Sequence, residues 1–182
     1  HVPFIELGEE LFFKPATFFV EVNDLLDDRP QAIFYGPPGT GKTWAALKLA
    51  EVIAGDESRT KLVQFHASYA YEDFIEGWRP TQEGNFEIKD GPLKRMAADA
   101  RDNSNQKFVL VIDEINRANL SKVLGELFFL LEYRDRAITL QYSDEQFKLP
   151  KNLFIIGTMN TADRSIALVD AALRRRFHFH GF

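Results

Sequence analysis

From residue 31 to residue 179 the chain alternates two hydrophobic patterns. Short runs of consecutive apolar residues are separated by stretches in which apolar positions recur every three or four residues. The first pattern suits strands covered on both faces and the second suits helices that bury one side. Strands are therefore expected over 31–35, 61–66, 108–112, 153–159 and 177–179. Helices are expected over 16–26, 42–54, 91–102, 120–132 and 166–173, with Gly55 stopping the second and Ser165 capping the last. This alternation is the signature of βαβ units, so the expected fold class is α/β, a mainly parallel sheet with helices on both faces. Two stretches, 83–90 and 137–149 around Ser143-Asp144-Glu145, instead alternate polar and apolar residues about turn formers. Both are expected to be β-hairpin insertions. Residues 1–30 read as an N-terminal arm and helix, and 31–182 as one α/β core.

Chemistry enters at the end of the first strand. Gly36-Pro37-Pro38-Gly39-Thr40-Gly41-Lys42-Thr43 matches G-x-x-x-x-G-K-[ST] between a strand and a helix, the context that a phosphate-binding loop requires. Glycines let the backbone wrap with its N–H groups inward, and the helix that follows offers its unpaired donors and positive dipole end. Lys42 is expected to reach the β- and γ-phosphates and the Thr43 hydroxyl to hold Mg²⁺, with Trp44 beside them. The strand at 108–112 runs into Asp113-Glu114. Asp113 is expected at the metal and Glu114 at the attacking water, an arrangement for hydrolysis and not for binding alone. Asn116 and Arg117 follow on the same turn, either orienting that water, meeting a neighbouring subunit, or forming a polar loop. Asn160 closes the strand at 153–159 and should emerge beside the loop. Arg174-Arg175-Arg176 ends the last helix, either as cations on its C-terminal dipole or as fingers reaching a neighbour's phosphates.

Composition narrows the classes. A net charge of −5 gives no overall basic footprint for nucleic acid, so any DNA contact is expected through other parts of a longer protein or a partner. Without cysteine, disulfides and thiolate zinc sites drop out. No apolar run approaches the roughly 18 residues of a membrane span, and the N-terminus has no export pattern, so a cytoplasmic protein without a membrane partner is expected. The chain begins at His1, not Met, which suggests a piece of something longer. His66, beside Tyr69 and Tyr71, is read as structural. His178 and His180 read as packing residues, with no third metal ligand nearby. Trp78 and Phe86, at the first insertion, could face a pore or a neighbour or simply pack locally.

Together these motifs resemble the AAA+ family, and within it the McrB-like GTPase motors of modified-cytosine restriction systems. The narrower likeness rests on Val63-Gln64-Phe65-His66, Ser68-Tyr69, Tyr71-Glu72-Asp73-Phe74, Arg79-Pro80, Asp113-Glu114-Ile115-Asn116-Arg117-Ala118-Asn119-Leu120 and Met159-Asn160-Thr161-Ala162-Asp163-Arg164-Ser165. The resemblance implies a five-stranded sheet of order 5-1-4-3-2, a hexameric ring, GTP used in preference to ATP with Mg²⁺, and a separate endonuclease partner. It implies that Asn116 lies in a catalytic segment and that Arg175 and Arg176 lie in a finger segment acting in trans. The helical lid and the modified-base reader of such proteins are missing from this chain. An ATP-driven protein remodeller of MoxR type and a nucleotide-gated scaffold share much of the pattern and stand as alternatives.

Overall fold

The computed structural model describes residues 1–13, 15–162, 171 and 173–182. Its central sheet is wholly parallel and joins β1 (Gln31–Gly36), β2 (Thr60–Gln64), β5 (Phe108–Asp113), β8 (Leu153–Asn160) and β9 (His178–Gly181) in the spatial order β2-β5-β8-β1-β9. Numbered within this sheet alone, that order reads 5-1-4-3-2 from the β9 edge. Because side chains alternate across a strand, each central strand feeds two cores. Ala32, Phe34, Val109, Val111, Phe154 and Ile156 point to one face, and Ile33, Leu110, Ile112 and Ile155 to the other. This explains the unbroken apolar runs in the sequence.

The first face is covered by α3 (Lys42–Ala54), through Ala45, Ala46, Leu49 and Ala50, and by α1 (Val2–Glu10) and α2 (Phe18–Asp28). Gly41 and Gly55 bracket α3 with φ of 81° and 68°, left-handed values that favour glycine and confirm the expected helix over 42–54. The arm expected at the N-terminus forms α1, folded against α2. A side chain at Gly8 would come within 2.1 Å of the Ala16 carbonyl oxygen, so α1 meets the turn that leads into α2 backbone to backbone. Leu7, Leu11, Phe19, Val22 and Leu26 join the core around Phe34.

The other face is covered by α4 (Tyr71–Phe74), α5 (Pro92–Asp102), α6 (Leu120–Leu124) and α7 (Leu127–Glu132). One helix was expected over 120–132. Gly125, at φ 50° and ψ −129°, breaks it in two, with the ring of Tyr71 about 3.4 Å from where a β-carbon would stand. The insertions are hairpins. β3 (Glu76–Pro80) pairs with β4 (Phe86–Asp90), starting earlier than expected, and β6 (Ile138–Thr139) pairs with β7 (Gln146–Phe147). Trp78 and Phe86 are exposed on the first hairpin. The helix expected over 166–173 and its Ser165 cap fall on residues 163–170 and 172, outside the described residues.

The last strand begins one residue later than expected and carries His178 and His180 inward. His180 packs edge-on against Phe18 and Phe34. Burial, then the neighbouring His178, pushes its imidazole down to about 4, and burial also lowers His178. An unfolded chain takes up these protons near 6.5. Stability should therefore be full above pH 6.5 and fall as pH drops toward 4, because the unfolded state binds the proton first. The loss from His180 by pH 5 is expected to be roughly 1–2 kcal/mol after solvent screening. Urea unfolding midpoints at neutral and mildly acid pH measure it, and His180→Phe should flatten the dependence.

Candidate active site

The register of the sheet brings four strand ends to one edge. Gly36 lies opposite Asn160, Gln64 opposite Asp113, and Ile112 opposite Gly157. The loop after β1 turns there into α3, with Gly39 and Gly41 at φ of 79° and 81° and open space where side chains would stand. A cavity of about 420 Å³ results, lined by Pro38, Gly39, Gly41, Lys42, Thr43, Trp44, Asp113, Glu114, Thr158 and Asn160. A larger cleft, about 730 Å³, opens at the opposite strand ends among Arg29, Lys107, Arg134 and Lys151, with Asp27, Asp28 and Glu132 among them. Among the described residues neither the glycine loop nor a helix N-terminus lines it, so the smaller cavity is the one with phosphate-binding chemistry.

Within that cavity the side chains form two connected rows. In the first, the Thr43 hydroxyl donates to Oδ1 of Asp113 at 2.6 Å, as does the Thr158 hydroxyl at 2.6 Å. The Thr158 oxygen in turn accepts from the Glu114 amide at 3.1 Å. In the second, the Lys42 ammonium donates to the carbonyls of Gly36 at 3.1 Å and Pro37 at 2.5 Å, to the Thr40 hydroxyl at 3.2 Å and to Oδ1 of Asn160 at 3.2 Å. Asn160 passes the row on, its Nδ2 donating to Oε1 of Glu114 at 3.4 Å. Burial lowers the Lys42 ammonium from its ordinary value, against the pull of Asp113 and Glu114. It is a cation held in a desolvated place, which a phosphate would relieve.

Asn116 is buried at the foot of this network, its Nδ2 donating to the Asn160 carbonyl at 3.4 Å. Its Oδ1 is buried with no hydrogen-bond partner among the described residues. Thr158 did not stand out in the sequence, although its signal was present. It is a hydroxyl inside an otherwise apolar strand, two residues before Asn160 and therefore on the same face. His66 is exposed, its Nδ1 accepting from the Ser68 amide at 3.3 Å, and it takes no part in the cavity.

The arginines stand elsewhere. Gln31, at the start of β1, donates to the Arg176 carbonyl, which puts Arg175 and Arg176 at the strand end opposite Gly36. Five residues of strand separate the two edges, about 17 Å, beyond the reach of an arginine side chain. Arg176 pairs with Glu132 at 3.3 Å, donates to the Phe128 carbonyl at 3.0 Å and lies over the Phe128 ring. Arg175 is 76% exposed, with Glu132 at 3.8 Å.

Residues 31–177 match the family model of the AAA domain, dynein-related subfamily. The chain belongs to this family. It is 47% identical over 176 residues to the EcoKMcrB subunit of the type IV methyl-directed restriction enzyme of Escherichia coli K12, covering 92% of this chain and 38% of that protein. It is 32% identical to the YdiS component of the type II restriction enzyme BsuMI of Bacillus subtilis, covering 81% of this chain and 55% of the relative. The chain thus spans 38% and 55% of the length of these two relatives. A solved ATPase candidate from Cytophaga hutchinsonii shares the fold, with a TM-score of 0.53 and 22% identity over 90% of this chain and 45% of that one. Among the described residues no helix is long and apolar enough to cross a membrane.

Proposed function

We propose that this AAA domain hydrolyses a nucleoside triphosphate, GTP in preference to ATP, as the motor of a restriction system. The observation that carries hydrolysis is the pair of rows meeting at Glu114, one from the Thr43 hydroxyl through Asp113 and Thr158, the other from Lys42 through Asn160. The restriction setting is supported by the names of the two relatives. The base preference rests on the likeness to McrB-type motors.

The loop 36–43 and the N-terminus of α3 would hold the triphosphate, with Lys42 exchanging the Gly36 and Pro37 carbonyls for phosphate oxygens. Trp44, 52% exposed, borders the open side where the nucleoside would leave the cradle. A hydroxyl and a carboxylate 2.6 Å apart form a hard oxygen donor pair that suits Mg²⁺, so Thr43 and Asp113 are its candidate holders. When bound, the ion neutralises charge on the phosphates. Glu114 takes the proton of the attacking water, Asn160 holds that carboxylate in register with Lys42, and the buried Oδ1 of Asn116 offers a second acceptor for the water. Arg175 and Arg176 cannot serve their own cavity, so a phosphate role places them in a neighbouring subunit's site, within a ring that drives DNA for an endonuclease partner. Arg175 is the better finger, since Arg176 is tied to Glu132 and Phe128.

Phosphate release from GTP and from ATP, each with Mg²⁺, tests the reading. Turnover with GTP well above that with ATP is expected, and ATP-only turnover would shift the assignment to the MoxR-type remodellers.

A further inference from the structure

Glu114 is held in a specific pose. Its backbone is left-handed, at φ 53° and ψ 48°, in a non-glycine residue for which that region is uncommon. The turn that follows, Ile115–Arg117, closes with the Arg117 amide donating to the Glu114 carbonyl at 2.9 Å. This places the Arg117 guanidinium beside the Glu114 carboxylate, with Nε ion-paired to Oε2. The other oxygen, Oε1, is occupied by Asn160. Glu114 lines the cradle cavity with Oε2 buried, so between Asn160 on one oxygen and Arg117 on the other both carboxylate oxygens are engaged, while Arg117 itself is 56% exposed. A guanidinium bound to a carboxylate also satisfies the negative charge that the carboxylate would otherwise offer to a water proton.

We propose that Arg117 is a positioning residue that latches Glu114 and holds basal turnover low. This rests on the reading of Glu114 as the group that activates water. Arg117 pairs with Glu114, where the rows end, and not with the loop 36–43 or Asp113, so it governs the chemical step and not nucleotide binding. Its outer end is exposed, so an anion arriving at the surface can take the guanidinium and release the carboxylate.

The test measures steady-state phosphate release and nucleotide affinity for the wild type, Arg117→Ala, Arg117→Lys and Glu114→Gln. A half-exposed pair of this kind is worth enough to change kcat by about three- to tenfold. Arg117→Ala is therefore expected to raise kcat by that factor with KM and affinity unchanged, and Arg117→Lys to return toward the wild type. Added salt should raise wild-type turnover more than that of Arg117→Ala, because it screens the pair. An equal or lower kcat in Arg117→Ala overturns the latch. A second readout does not depend on turnover: the Arg117 Nε–H resonance in a ¹⁵N NMR spectrum should move in Glu114→Gln, and an unmoved resonance overturns the contact. Absence of phosphate release by the wild type would instead count against hydrolysis itself.

Discussion

Glu114→Gln is expected to lower phosphate release by roughly 10²- to 10⁴-fold, the usual cost of losing a general base, while leaving triphosphate affinity within about twofold. The separation follows from the geometry. Phosphate and metal contacts are assigned to the loop 36–43, Thr43 and Asp113, and none of these bonds to the Glu114 side chain. The Glu114 amide, which donates to Thr158, belongs to the backbone and survives the substitution. A glutamine keeps the size of the side chain and an oxygen to accept from Asn160, but it cannot take up a proton. Single-turnover phosphate release gives the first number. Quenching of Trp44, one of the chain's two tryptophans and the one that lines the cavity, gives the second. Equal losses of affinity and turnover would mean that Glu114 supports the cradle and does not act on water.

Much of this site was legible in the sequence because its parts sit where two signals coincide. The loop 36–43 is a motif framed by a strand and a helix, and Asp113 and Asn160 each follow an apolar run, so a parallel sheet had to deliver them to one edge. What was missed depends on contacts that a local pattern does not decide by itself. Thr158 is a lone hydroxyl in an apolar strand, and only the sheet sets it against Asp113. The α6/α7 break is decided by Gly125, whose permissive backbone lets the chain turn beside Tyr71, a residue more than fifty positions earlier. A glycine within a helical pattern signals either a tolerated cost or an end, and only the tertiary contact chooses. α1 was hidden because its stability comes from packing through Gly8 on the turn before α2 and from feeding Leu7 and Leu11 into the core around Phe34. The arginines show the opposite limit. Sequence alone left a dipole role and a finger role open, and the fold removes only the possibility that they act on their own chain's nucleotide.

The hairpins, too, were visible as alternating segments, but the group that joins them was not, and it carries the largest stability effect expected here. Lys94, on α5 and 8% exposed at its side chain, is held by Glu76 at 2.8 Å, Asp90 at 2.9 Å and Glu145 at 2.8 Å. Glu76 opens β3, Asp90 closes β4 and Glu145 lies in the turn of the second hairpin, so one ammonium fastens both insertions to the domain. Glu76 is fully buried, and its other oxygen accepts from the amides of Tyr142 at 3.0 Å and Ser143 at 2.9 Å. Burial works against both charges. The bonds from Lys94, Ser143 and Tyr142 nevertheless hold Glu76 below its ordinary value, and the three carboxylates hold Lys94 above its own. Lys94→Met leaves Glu76 as a buried carboxylate without its cation, at a cost of about 3–5 kcal/mol. That corresponds to a fall in Tm of roughly 10 °C for a domain of this size. The double variant Lys94→Met/Glu76→Gln should recover much of the loss, because the amide oxygen still accepts from Tyr142 and Ser143 while the unpaired charge is gone. Acid separates the charge effect from simple loss of packing. In the wild type, the contribution of Glu76 is present above the ordinary carboxylate value near 4.5 and is lost as pH falls below it. In Lys94→Met the stranded carboxylate favours its protonated form, so the deficit against the wild type should shrink as pH falls. A deficit independent of pH would mean that Lys94 acts through its methylene chain and not through its charge.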